Sequence, residues 1–198
     1  MVRAPIQTIT PEAFLNLPET QPASEYINGE ILQKSMPQGK HSKIQAKLVT
    51  EINQLVEERE IARAFPELRC IFGGRAIVPD VTVFSWDKIP VDKNDDIANV
   101  FNDVPDFIIE ILSPDQSPIR VTGKILHSLD RGCQMGWLID SSTRSVLVYP
   151  PQQQPQLLDE ENAILPVPDL VEELRLAVGD VFGWLRKGKS KQVATHGE

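Results

Sequence analysis

Residues 104–112 carry the sequence Val-Pro-Asp-Phe-Ile-Ile-Glu-Ile-Leu. This run is too uniformly apolar for a strand with one face in water, so it predicts a central strand that is buried on both faces. Glu110 lies inside the run. A buried, ionised carboxylate costs several kcal/mol unless a cation, strong hydrogen bonds or a metal compensates for it. The stretch therefore predicts the centre of the fold and a functional site at Glu110.

A second acid and a lysine accompany Glu110 in the sequence. Asp80 precedes the apolar run Val-Thr-Val-Phe at 81–84, and Lys124 lies on a predicted helix after Glu110. Hard oxygen ligands such as Asp80, Glu110 and the backbone carbonyl of Ile111 suit Mg²⁺, while a lysine ammonium can orient water and stabilise phosphate charge. The trio predicts a metal-dependent nuclease centre. Spacing alone is also compatible with solvated acids at strand ends and a surface lysine.

Four further residues are candidates on weaker grounds. In the long amphipathic helix, His41 and Glu51 fall on the apolar face, which makes Glu51 either a third catalytic acid or a residue at the edge of the stripe. His41, His127 and Arg75 are candidate substrate contacts, with structural roles as the alternative for each histidine.

The local patterns predict an α/β order of elements. Thr10-Pro11 is typical of a helix start and Asn28-Gly29 of a hairpin turn. The other predicted elements are an amphipathic helix at about 40–63, two strands within 68–84, an exposed polar loop at 87–103, a helix that ends at Gly132, strands at 137–140, 145–149 and 174–178, and a helix at 181–185.

The composition limits the functional classes. The length of 198 residues suits one domain, 1–198, with residues 187–198 as a frayed tail. A net charge of -8 argues against a broad, non-specific nucleic-acid surface. No apolar run is long enough to span a membrane and the N-terminus lacks the apolar core of a signal peptide, so we expect a cytoplasmic protein. Cys70 and Cys133 have no metal-ligand or disulfide spacing.

The ordered series of motifs resembles a known family, the bacterial restriction-endonuclease-like proteins of the PD-(D/E)xK superfamily that were long catalogued as a domain of unknown function. The resemblance runs almost from end to end. It is carried by Thr10 to Phe14, Glu25 to Ile31, His41, Val78 to Val81, Pro105 to Pro114, Lys124, and Trp137 to Asp140.

This resemblance implies a restriction-endonuclease-like α/β core, a central mixed sheet flanked by helices, with an N-terminal β-hairpin. It implies that Asp80 and Glu110 hold Mg²⁺ or Mn²⁺, with Lys124 supplied by the following helix because Leu112 occupies the usual lysine position. Glu51 corresponds to a helical acid that some superfamily members add. DNA is the implied substrate, and a homodimer is implied by analogy with nucleases that cut two strands.

The chain departs from the family at Met135-Gly136, where a Glu-Tyr pair often stands. Neither side chain can bind a hard cation or hydrogen-bond a phosphate. The alternative function is therefore a catalytically inactive nucleic-acid- or protein-binding module that keeps the nuclease fold. A structural oligomer built through exposed hairpins is a third reading.

Overall fold

The computed structural model describes residues 9–114 and 116–187. The predicted frayed tail lies outside these ranges, except for Lys187. The helices are α1 (Pro11–Leu15), α2 (Gly39–Val56), α3 (Pro118–Leu129) and α4 (Val178–Gly183). The strands are β1 (Ser24–Ile27), β2 (Glu30–Gln33), β3 (Ala62–Pro66), β4 (Cys70–Phe72), β5 (Arg75–Ile77), β6 (Val81–Ser85), β7 (Phe107–Leu112), β8 (Met135–Asp140), β9 (Ser145–Tyr149) and β10 (Gln156–Leu158).

A mixed six-stranded sheet forms the centre of the fold, in the order β10-β9-β8-β7-β6-β3. Strands β7 and β8 are parallel, and the other neighbours are antiparallel. The parallel pair requires a crossover, which α3 provides. The predicted α/β class with a mixed sheet and flanking helices is confirmed.

The two faces of β7 belong to different cores. Phe107, Ile109 and Ile111 pack on the face covered by α2, whereas Ile108 packs with Val121 and Ile125 of α3 on the opposite face. Side chains alternate along a strand, so Glu110 points to the same side as Ile108, towards α3. The strand is buried on both faces, as its apolar sequence predicts.

The predicted N-terminal hairpin belongs to a second, four-stranded antiparallel sheet in the order β2-β1-β5-β4. Asn28 and Gly29 have φ values of 54° and 88° and form the turn. Both values lie in the left-handed region that this residue pair tolerates. The hairpin is thus confirmed, and its strand β1 pairs with β5 as well as β2.

The chain passes from the small sheet to the large sheet at Val78-Pro79-Asp80. Strand β5 ends at Ile77 and β6 begins at Val81, so three strands begin within 68–84 where two were predicted. Pro79 has no N–H and cannot continue a ladder, which explains the break. This crossing places Asp80 at the entrance of β6.

Two other boundaries differ from the prediction. Helix α2 ends at Val56 instead of continuing to Arg63, and residues 62–66 form β3 with Ala62 and Ala64 buried. The predicted strand at 174–178 is wrong. There, Ala177 forms only an isolated bridge with Ile164.

Candidate active site

Asp80 is the most tightly held residue of the site. Its side chain is fully buried, and its Oδ2 accepts a 2.7 Å hydrogen bond from the N–H of Ile111, next to Glu110 on β7. Its carbonyl oxygen accepts a 2.8 Å bond from the side-chain amide of Gln45 on α2. The bond to Ile111 ties the start of β6 to the end of β7. Sheet geometry therefore brings the two predicted acids to one place.

Glu110 and Lys124 form a buried ion pair between β7 and α3. The Nζ of Lys124 lies 2.8 Å from Oε1 of Glu110 and 3.0 Å from Oε1 of Glu25, on β1. The same Glu25 oxygen accepts a 2.8 Å bond from the N–H of Val78. The predicted association of Asp80, Glu110 and Lys124 is thus present in the structure, with Glu25 as an additional member.

A second buried lysine faces Asp80. The Nζ of Lys34, just beyond β2, lies 2.8 Å from Oδ1 of Asp80 and donates a 2.8 Å bond to the carbonyl of Val78. Only 9% of Lys34 is exposed. A buried ammonium group needs acceptors around it. Lys34 finds them in Asp80 and the carbonyl of Val78, which fix the position of its charge.

His41, at the start of α2, completes the cluster. Its Nε2 lies 3.4 Å from Oδ1 of Asp80, and its Nδ1 lies 3.4 Å from the hydroxyl of Ser113, just after β7. The Nε2 atom is buried and has no aligned hydrogen-bond partner among the described residues. The fold therefore brings His41 to the acids, with Nε2 close to Asp80 but not in an aligned hydrogen bond.

The surroundings of Asp80 and Glu110 shift their pKa values in opposite directions. Burial alone would raise the pKa of Asp80, but His41, Lys34 and Lys124 outweigh it and hold that pKa well below its usual range. Burial raises the pKa of Glu110 to about 7, with Lys124 opposing the rise and the charge of Asp80 adding to it. Burial also opposes the charge of Lys124, yet Glu110, Glu25 and Asp80 raise its pKa. Asp80 stays ionised, whereas Glu110 exchanges a proton near neutrality.

Glu51 is not brought to this cluster. It forms a 3.0 Å ion pair with Lys47 one turn earlier on α2, and a third of its side chain is exposed. Within the described residues no hydrogen bond or ion pair joins it to Asp80 or Glu110. Ten residues of helix separate it from His41, about 15 Å along the axis, which explains why sharing a face did not bring both to one site.

Arg75 and His127 make contacts away from the acids. Arg75 donates a 3.1 Å bond to the side chain of Asn28, in the hairpin turn, and its guanidinium reaches the carbonyl of Gly123 on α3. The ring of His127 stacks on Phe72 with centroids 5.1 Å apart, and burial lowers its pKa. Both residues fasten α3 to the small sheet, so their predicted role as substrate contacts has no support from this geometry.

The prediction from sequence missed Glu25 and Lys34. A signal for Glu25 exists, because it shares a face of β1 with Ile27, which packs beside the α3 core. Lys34 carries no such signal. Its burial depends on the pairing of β1 with β5, which brings Val78 and Asp80 to the end of the hairpin.

The departure at Met135-Gly136 has a packing explanation. A Cβ atom on Gly136 would lie 2.3 Å from Cγ2 of Ile125 and 3.3 Å from Cγ2 of Ile108. Glycine therefore allows α3 to approach β8 closely, next to Lys124. Met135 is buried in the core on the α2 side. The pair serves the packing that positions Lys124.

The donor set fits a hard divalent cation. Oε1 of Glu110 is fully buried, and Nζ of Lys124 lies 2.8 Å from it without an aligned hydrogen bond. Three buried carboxylates, of Asp80, Glu110 and Glu25, face the two ammonium groups of Lys34 and Lys124. No group of three or more His, Cys, Asp or Glu side chains in the described part of the chain is arranged to hold a metal. Two carboxylates with water and backbone oxygens suit Mg²⁺ or Mn²⁺ better than zinc.

A mixed sheet with a helix on each face, and buried acids where adjacent strands meet, defines a restriction-endonuclease-like protein. The chain belongs to the Uma2 family, described as "Putative restriction endonuclease", whose model matches residues 11–179. A search of curated proteins found no match.

A solved structure is similar over nearly the whole chain. It is the 1.96 Å crystal structure of "a putative nuclease belonging to DUF820" from Anabaena variabilis, with 56% sequence identity and a TM-score of 0.88. The match covers 90% of this chain and 99% of that one. Within the described residues no helix is long and apolar enough to cross a membrane.

Proposed function

We propose that this protein is a Mg²⁺- or Mn²⁺-dependent endonuclease that hydrolyses phosphodiester bonds in DNA. The observation that carries the proposal is the buried group of Asp80, Glu110 and Lys124, held by the bond between Asp80 and the N–H of Ile111. Such a group is costly to bury and contributes little to stability, so a catalytic role accounts for it better than a structural one.

Asp80 and Glu110 would hold the metal, with the carbonyl of Ile111 as a proposed third ligand. The bound metal supplies Lewis acidity and lowers the pKa of water. Lys124 stays protonated, so its ammonium can donate a hydrogen bond to a phosphate oxygen and stabilise the charge that develops there. His41, whose Nε2 lies 3.4 Å from Oδ1 of Asp80, is placed to orient a water molecule.

Lys34 and Glu25 act on the positions of these groups. The ammonium of Lys34 lies 2.8 Å from Oδ1 of Asp80, and Oε1 of Glu25 lies 3.0 Å from Nζ of Lys124, which it shares with Glu110. With a divalent cation held by Asp80 and Glu110, the ammonium groups of Lys34 and Lys124 would be placed to turn towards an anionic substrate. Glu110 would bind the cation as its carboxylate and give up to solvent any proton that it carries near neutral pH.

The experiment is plasmid and single-stranded DNA cleavage with Mg²⁺ or Mn²⁺, using wild type, Glu110→Gln and Glu51→Gln. We expect cleavage by wild type, a loss of at least about a hundredfold in Glu110→Gln, and little change in Glu51→Gln. Equal cleavage by wild type and Glu110→Gln would contradict the proposal, since it would indicate a contaminating nuclease.

The alternative is a catalytically inactive binding module. One observation favours it: Lys34 and Lys124 already neutralise most of the charge on the buried acids. Under this alternative millimolar Mn²⁺ would neither bind nor stabilise the chain. We also propose that the protein works in the cytoplasm as a homodimer. Light scattering tests the oligomeric state.

A further inference from the structure

A cleft of about 490 Å³ opens between the β1–β2 hairpin and the start of α3. Its lining includes Glu25, Leu32 and Lys34 from the hairpin and Ser117, Arg120 and Lys124 from the helix. Lys34 and Lys124 each lie 2.8 Å from a carboxylate oxygen of the buried acids. The cleft therefore adjoins Asp80 and Glu110 through these two lysines, although neither acid lines it.

The lining of the cleft carries more basic than acidic side chains, although the chain as a whole is acidic. The described lining residues contribute three positive side chains, Lys34, Arg120 and Lys124, and one carboxylate, Glu25. The whole sequence has a net charge of -8. Lys34 and Lys124 are paired with buried acids, so Arg120 is the lining residue that adds positive charge at the rim. Positive charge at the mouth of a cleft raises the local concentration of an anionic ligand.

The depth of the acids limits the form of that ligand. Asp80 is 0% and Glu110 1% exposed, so a phosphodiester must descend between the hairpin and α3 to reach them. A duplex keeps its phosphates on the outside of a stiff cylinder and calls for a broad basic surface. A single strand can follow a positively charged groove, and the volume of this cleft lies within the range of about 300–1,000 Å³ that is typical of ligand pockets.

We infer that this cleft binds single-stranded polynucleotide, with Lys34 and Lys124 near the scissile phosphate and Arg120 on a flanking phosphate at the rim. The inference rests on the proposed function, because it assumes that the buried acids act on a phosphodiester. Beyond the proposed function, it specifies the route by which the substrate reaches the acids and that the substrate is single-stranded. Arg120 is exposed, so its replacement leaves the core unchanged.

The test is fluorescence anisotropy with a labelled 12-nucleotide single strand and the blunt duplex of the same sequence, in EDTA so that no cleavage occurs. Arg120→Gln is compared with Arg59→Gln, which removes the same charge from an exposed arginine that pairs with Glu173. We expect the single strand to bind at least about tenfold more tightly than the duplex. Arg120→Gln should weaken binding about fivefold and reduce the slope of log K against log salt by about 0.7, while Arg59→Gln matches wild type.

Equal affinity for both forms, no measurable binding of the single strand, or equal effects of the two arginine substitutions would overturn the inference. Hydrolysis of bis(p-nitrophenyl) phosphate by wild type with Mn²⁺ tests the proposed chemistry separately, because this small diester has no flanking phosphate for Arg120 to contact. A protein that hydrolyses the diester without preferring the single strand keeps the proposed function and loses this inference. Preference for the single strand with no hydrolysis supports the cleft and counts against the nuclease.

Discussion

The raised pKa of Glu110 predicts that its charge destabilises the metal-free protein. Replacing Glu110 with glutamine keeps the size of the side chain and resembles its protonated form. The pKa rises from 4.5 to about 7 in the folded protein, and each pKa unit corresponds to about 1.4 kcal/mol. A folded state that binds its proton more tightly than the unfolded state is favoured at low pH, so stability is lost as pH rises from 4.5 through about 7.

The magnitude follows from these two pKa values. The free energy of unfolding of Glu110→Gln relative to wild type should increase by about 2 kcal/mol between pH 5.5 and pH 8. In a chain of this length that difference corresponds to about 4–8 °C in Tm. Urea unfolding in EDTA at several pH values measures it. Glu58→Gln, at an exposed acid, removes the same charge and should give a difference that does not vary with pH.

Metal binding should reverse the order of stability of wild type and Glu110→Gln. A cation at one hundred times its Kd stabilises the folded state by about 2.7 kcal/mol, so Mn²⁺ at pH 8 should raise the Tm of wild type and leave Glu110→Gln unchanged. A pH-independent difference in EDTA, or glutamine less stable than glutamate at pH 8, would refute the reasoning about Glu110.

Three substitutions test the surrounding groups. Lys124→Met leaves Glu110 and Glu25 buried without their cation and should lower the free energy of unfolding in urea at pH 8 by about 3–5 kcal/mol. Adding Glu25→Gln should recover part of this loss, whereas a loss under about 1 kcal/mol would contradict the buried ion pair. Gly136→Ala places a methyl group against Ile125 and should cost about 1–3 kcal/mol, so an unchanged Tm by calorimetry would argue against the close approach of α3. Glu51→Gln removes only an exposed pair, about 0.5 kcal/mol, and a loss of DNA cleavage above about fivefold would return Glu51 to the site.

Local chemistry was sufficient for many elements. Thr10 accepts a 3.2 Å bond from the N–H of Ala13, as the cap before a helix-starting proline should. The Asn28-Gly29 turn and the doubly buried β7 were also predictable, because turn residues and continuous apolar runs act within a few positions. Predictions failed where contacts with distant parts of the chain determine the secondary structure. Residues 62–66 continue the predicted helix in sequence, yet pairing with β6 makes them a strand.

The site residues differ in the same way: some could be predicted from local sequence, and others depend on tertiary contacts. Glu110 is conspicuous because its own strand buries it, and Asp80 because it adjoins an apolar run. Lys34 becomes part of the site only through β1–β5 pairing, which no local pattern specifies. For Glu51, helical periodicity gave the correct face of α2 but not the distance along its axis.

The most direct measurement is calorimetric titration of Mn²⁺ into wild type and Glu110→Gln at pH 7.5, repeated at pH 6. The account predicts one ion bound per wild-type chain, with affinity about tenfold weaker at the lower pH because metal and proton compete for Glu110, and no binding to Glu110→Gln. Equal binding to the two proteins, or none to wild type at millimolar Mn²⁺, would contradict a metal centre at Asp80 and Glu110.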